Sequence, residues 1–146
     1  MRRIQRSADK ESLVQTLTSG ENPPFKEIWR LMIFAASVGQ SRGRREPLKA
    51  VDSGKAIPAA IFSNSPAWPG FHYLMALVEK DDSAVLGGGE DMENDRLLIF
   101  EEYANGGLSI IQEELEKGSY LLDAFLQFMP LNSSPSKGDE LTKVVI

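Results

Sequence analysis

The chain has no cysteine and a single histidine in its 146 residues. The first absence excludes disulfides, thiolate nucleophiles and cysteine zinc sites, and it fits a reducing compartment. The second leaves His72 as the sole imidazole base for a serine triad, and no G-x-S-x-G elbow is present to serve it. His72 lies in "GFHYLMAL", where a packed or surface role is the plainer expectation. No G-x-x-x-x-G-K-[ST] phosphate loop occurs. Gly87 to Gly89 form a triple glycine, but acidic residues follow and would repel phosphate. No window approaches the roughly 20 apolar residues of a membrane span. "MRRIQRSADKESL" carries basic residues with no apolar stretch behind them, so it does not read as a secretory signal. These absences predict a cytoplasmic, non-catalytic protein with no membrane contact, cofactor or metal.

What is present is uneven charge. The net charge of −5 conceals two opposed halves. Residues 1–55 hold eleven Lys/Arg and six Asp/Glu, whereas residues 56–146 hold five and fifteen. A basic face and an acidic face follow if the fold keeps the halves apart. If the charges intermix, the asymmetry means only solubility.

Apolar spacing predicts a mainly α domain of five or six helices over residues 1–130, with at most one short strand pair. Residues 131–146 read as a flexible tail or a short edge strand. Leu13, Val14 and Leu17 stripe a helix over 8–19. "ENPPFKEIWRLMIFAASVG" reads as the central core helix, with Asn22 as N-cap, a proline in the first turn and Gly39 as the stop. Residues 57–62 fit a short strand or one helical turn. "FHYLMALVEK" reads as a helix with Phe71, Leu74, Met75, Leu77 and Val78 on or near one face. Residues 90–118 form one long helix or two, divided at Asn105-Gly106-Gly107. Two interior glycines cost roughly 2 kcal/mol relative to alanine, which is tolerable only where another backbone packs closely. "SYLLDAFLQFM", residues 119–129, reads as a further helix.

Two charged groups invite functional readings. Glu90, Asp91, Glu93 and Asp95 could form a carboxylate metal site, but the order of a calcium loop is absent. Acidic residues at a helix N-terminus are the plainer account. Glu101/Glu102 and Glu113/Glu114 likewise read as solvated helix faces. The second group is Arg42, Arg44 and Arg45, followed in the same loop by Lys49 and Lys55. The dipole at a helix C-terminus explains one such cation better than three. Arginine forks suit phosphates and carboxylates. The loop therefore fits nucleic-acid phosphates, an acidic partner surface, or internal pairing with a glutamate such as Glu102.

"FKEIWRLMIFAASVGQSRGRREPL" and "LLIFEEYANGGLSIIQEEL" together resemble the Dnd system-associated protein 4 family, encoded beside bacterial DNA phosphorothioation genes. The resemblance implies an accessory role in DNA phosphorothioation modification and restriction, with DNA backbone or other proteins of the system as partners. It implies no activity, cofactor or metal. It singles out Tyr103, Asn105, Gly106 and Gly107 as a structural signature. On this reading the arginine loop faces DNA or a larger DNA-processing protein. Otherwise the two signature segments simply pack against each other.

Overall fold

The computed structural model describes residues 2–117. Among them are five α-helices: α1 (Glu11–Thr18), α2 (Ile28–Ser41), α3 (Ala59–Phe62), α4 (Trp68–Lys80) and α5 (Glu90–Glu116). Short 3-10 turns occur at Ala8–Lys10, Ser53–Lys55 and Ser83–Leu86. Pairing of extended chain among the described residues is confined to two antiparallel bridges, Ile4 with Ile57 and Ser7 with Val51. The protein is mainly helical, as its apolar spacing predicts. Two compact units divide after Ile110. Of the second, the described part is the end of α5, where Lys117 pairs with Glu114 at 3.0 Å. The helix expected over 119–129 and the tail expected over 131–146 lie outside the described residues.

Both ends of α2 differ from the sequence expectation. Asn22 is not its cap: its φ is +50°, and the helix starts only at Ile28, with Glu27 in the cap position. Residues before proline are pushed out of the α region, so Asn22-Pro23-Pro24 delays the start. Phe25 is tied instead to α1, donating its N–H to the Leu17 carbonyl at 3.1 Å. Gly39 is not the stop either. Gly43, with φ +66°, closes the helix, donating to the Gln40 carbonyl at 3.1 Å. Arg44 N–H reaches back to the Gly39 carbonyl at 2.8 Å, completing a Schellman turn. Gly39 is thereby left inside the helix, free for a different task.

That task is close approach. A Cβ on Gly39 would overlap the Tyr103 carbonyl, and one on Gly107 would overlap the Ala35 carbonyl. The α2 and α5 backbones therefore touch where neither has a side chain. One residue earlier, a Cβ on Gly106 would overlap the Arg44 carbonyl. Asn105-Gly106-Gly107 does not divide α5, which runs unbroken through all three. The two interior glycines admit two other stretches of backbone, which is the condition under which their helix cost is tolerable.

The core of the first unit is part aliphatic and part aromatic. Ile4, Val14, Leu17, Leu31, Leu97 and Leu108 are fully or almost fully buried. α3, α4 and α5 meet through Phe62, Trp68 and Phe100, with ring centroids 4.8–5.6 Å apart. Residues 57–62 resolve into both readings at once: Ile57 bridges Ile4, and Ala59–Phe62 make a helical turn. The inward face of α4 is also displaced from the expected one. Trp68, His72, Met75 and Ala76 are buried, whereas Leu74 is 62% and Val78 67% exposed. Trp68 anchors this rotation, because it begins the helix one turn earlier than "FHYLMALVEK" suggests and stacks on His72 at 4.5 Å.

His72 Nδ1 faces the Trp68 carbonyl at 3.0 Å. Burial lowers its pKa below 6.5 and the Arg96 charge adds to that, while the Trp68 carbonyl and Glu93 oppose it. The unfolded chain therefore takes up this proton first. The stabilisation from neutral His72 is complete above about pH 6.5 and is lost as pH falls below it. Urea titrations between pH 5 and 8 should show that loss in the parent and a flatter profile in His72→Phe. A second prediction concerns the glycine contact. Gly107→Ala should destabilise by about 1–3 kcal/mol from overpacking, despite a helix propensity gain of about 1 kcal/mol. Guanidinium unfolding of both proteins measures the difference.

Candidate functional site

The Schellman turn at Gly43 sends residues 44–48 across α5 as a strap. A helical carbonyl is normally shielded by the side chain four residues on. Gly106 has none, so the Glu102 carbonyl is open, and Glu46 N–H donates to it at 3.0 Å. Asn105 fastens the next residues: its Nδ2 donates to the Glu46 and Pro47 carbonyls at 3.3 and 3.1 Å. Its Oδ1 accepts from the buried Lys10 Nζ at 3.2 Å. Ser109 Oγ donates to the Glu46 carboxylate at 2.6 Å, and Arg44 pairs with the other oxygen. Burial raises the Glu46 carboxyl, but Ser109, Arg44 and the Lys10 charge outweigh it and hold its pKa below the ordinary value.

The basic residues of the loop are spread along this strap. Arg45 Nε donates to Glu102 at 2.8 Å, and a second nitrogen lies 3.5 Å from Glu79 of α4. Tyr103 donates its hydroxyl to the same Glu79 carboxylate. Lys49, 81% exposed, lies 4.0 Å from Asp9, and Lys55 lies 3.7 Å from Glu11. Arg42 caps α2 and is exposed. Arg44 and Arg45 thus join the signature residues Tyr103, Asn105, Gly106 and Gly107 in one contact region, whereas Lys49 and Lys55 lie beside the N-terminal segment.

Sequence reasoning missed Glu46, Lys10 and Ser109, whose importance depends on a strap that only the fold creates. It also misread Glu101. That side chain is not solvated but 2% exposed, held by Arg2 at 2.7 and 2.9 Å and by the Gln5 N–H at 2.6 Å. Burial raises its pKa above the ordinary carboxylate value, against the pull of Arg2 and Gln5. The basic and acidic halves of the sequence therefore interlock at Arg2–Glu101 and Arg45–Glu102. Glu90, Asp91 and Glu93 occupy the first turn of α5, and among the described residues no group of three acidic or histidine side chains is placed to hold a metal.

The strap and the glycine stripe bring together the two segments that the resemblance rested on. The model of DNA sulphur modification system-associated protein 4 matches residues 3–144. The chain belongs to this family. No curated protein and no solved structure matches it. The family is described by its association with a DNA sulphur modification system. No described helix is long and apolar enough to cross a membrane. Within this family member, the paired signatures have a physical role in packing: "FAASVGQSRGRREP" supplies the helix and strap, and "YANGG" supplies the surface they cross.

Tyr103 reports on the strap. Burial, then the hydrogen bond to Glu79, pushes its hydroxyl up to about 12. In an ultraviolet pH titration, the last tyrosine to ionise should do so near that value. Glu79→Gln should bring this step back toward the ordinary tyrosine range, and Tyr103→Phe should remove it.

Proposed function

We propose that this chain is a non-catalytic accessory protein of bacterial DNA phosphorothioation, and that it acts by binding a larger DNA-processing protein of the system. The observation that carries this reading is the internal use of the arginine loop. Arg44 and Arg45 bind Glu46, Glu102 and Glu79, so their forks brace the strap instead of reaching outward. The burial of His72 beneath Trp68 speaks against its use as a catalytic base. The family description supports the cellular setting.

Direct contact with DNA backbone is the second reading, and the exposure of Arg42, Lys49 and Lys55 favours it. Those cations lie in one loop with Gly43 and Gly54, and Lys49 and Lys55 stand 4.0 and 3.7 Å from Asp9 and Glu11, near the outer limit of ion pairing. Phosphate could displace such exposed pairs at little cost.

Fluorescence anisotropy of labelled duplex DNA, with and without phosphorothioate, separates the two readings. Three phosphate contacts give a log–log salt slope near −2.7, hence roughly 40-fold weaker binding at 200 than at 50 mM salt. The partner reading expects no binding at 50 mM that depends on Arg42, Lys49 and Lys55. Binding with that slope, lost when the three are changed to alanine, would transfer the loop to DNA.

A further inference from the structure

α4 is apolar on its outer side as well as its inner one. Gly70, Leu74 and Val78 form a ridge at four-residue spacing, with half-buried Phe71 and Leu77 alongside. Single exposed leucines are ordinary on protein surfaces. Here two large side chains, 62% and 67% exposed, follow one another on the same ridge. A helix with so little polarity around its circumference is built to be covered on both sides.

The surroundings of the ridge define what covers it. From Glu79 to Asp95 the chain carries seven carboxylates and one basic residue, Lys80. Asp81, Asp82, Glu90, Asp91 and Asp95 are exposed. This acidic segment is held against α4. The Ser83–Leu86 turn packs on the helix, and Val85 is buried. Arg96, 5% exposed, clamps the segment by donating to the Val85 and Gly87 carbonyls at 2.9 and 2.8 Å. The same guanidinium lies 4.3 Å from the ring centroid of Tyr73 on α4 and donates to its hydroxyl at 3.2 Å. The Arg96 cation is thus spent inward on carbonyls and a ring, and the acidic segment faces outward with little basic charge to offset it. The C-terminal dipole of α4 adds further negative potential at Asp81.

We infer that the outer ridge of α4 is a docking face for a basic amphipathic helix of another protein, its apolar stripe on Leu74 and Val78 and its Lys/Arg flanks on the acidic segment. A second copy of this chain fits poorly, because two such faces would set like charge against like charge. This inference deepens the proposed function, on which it rests, by giving the partner a chemistry and a place.

The test uses the full chain and a labelled synthetic peptide of about 18 residues, leucine and lysine in helical i, i+3, i+4 spacing. A matched peptide has glutamate in place of lysine. The leucine–lysine peptide should bind, and binding should weaken by about tenfold or more in Leu74→Ser/Val78→Ser. It should also weaken in Asp91→Lys/Asp95→Lys and with added salt. The leucine–glutamate peptide should not bind. Thermal melts should show both variants folded, since the substituted side chains are exposed. Unchanged binding by folded Leu74→Ser/Val78→Ser, equal binding of the two peptides, or no binding of the leucine–lysine peptide would overturn the inference. So would a concentration-dependent dimer in sedimentation that the serine variant dissolves. DNA binding through the arginine loop would overturn the partner reading and leave these titrations untouched. Failure here without DNA binding would remove this face alone.

Discussion

Three glycines bring two pieces of backbone onto α5, and much of the first unit is arranged around that contact. Gly39 and Gly107 let α2 and α5 meet main chain to main chain, and Gly106 does the same for the strap at Arg44. Any side chain at these positions would have to push a carbonyl aside, and packed backbone does not yield as a flexible side chain does. The close approach also exposes carbonyls that a helix usually hides. The Glu102 carbonyl, uncovered by Gly106, becomes the acceptor that fixes the strap at Glu46. What appears in the sequence as a helix weakness is a geometric requirement of the fold.

The arginine loop takes its character from this arrangement. A Schellman turn needs a residue at positive φ, and Gly43 meets that need between two arginines. The turn delivers Arg45 to a surface that carries Glu79 and Glu102, while Arg44 pairs with Glu46 within the strap. These are partly exposed ion pairs, individually of modest worth. Their value lies in position, since the two Arg45 pairs tie the strap to α4 and α5. The same economy governs Arg96, whose buried charge fastens an acidic loop through carbonyls and an aromatic ring. The molecule thus keeps several of its cations for internal bracing and leaves carboxylates on the outside of residues 79–95.

Much of the secondary structure was legible because apolar periodicity is a local signal. Leu13, Val14 and Leu17 located α1, and the run from Ile28 to Val38 located α2. Boundaries were less legible. Two glycines, Gly39 and Gly43, both satisfied the pattern of a helix stop, and only the backbone conformation distinguished the cap from the contact. The inward face of α4 was misplaced because Phe71, Leu74 and Val78 are as apolar as the residues that are buried. Hydropathy cannot say which of two apolar faces meets the core. Glu101 was misread for the converse reason: a carboxylate signals solvent unless a partner is known, and Arg2 lies 99 residues away.

By itself the sequence determined the helical class, the absence of thiol chemistry, the charge imbalance and the family, because each depends on composition or on neighbours along the chain. It also carried the condition that close backbone contact must accompany Gly106 and Gly107. Only the tertiary structure decided which backbones make that contact, that Arg44 and Arg45 pair within the fold, and that Leu74 and Val78 turn outward. Those outcomes depend on pairs of residues far apart in sequence, and their energies exist only once the helices have docked.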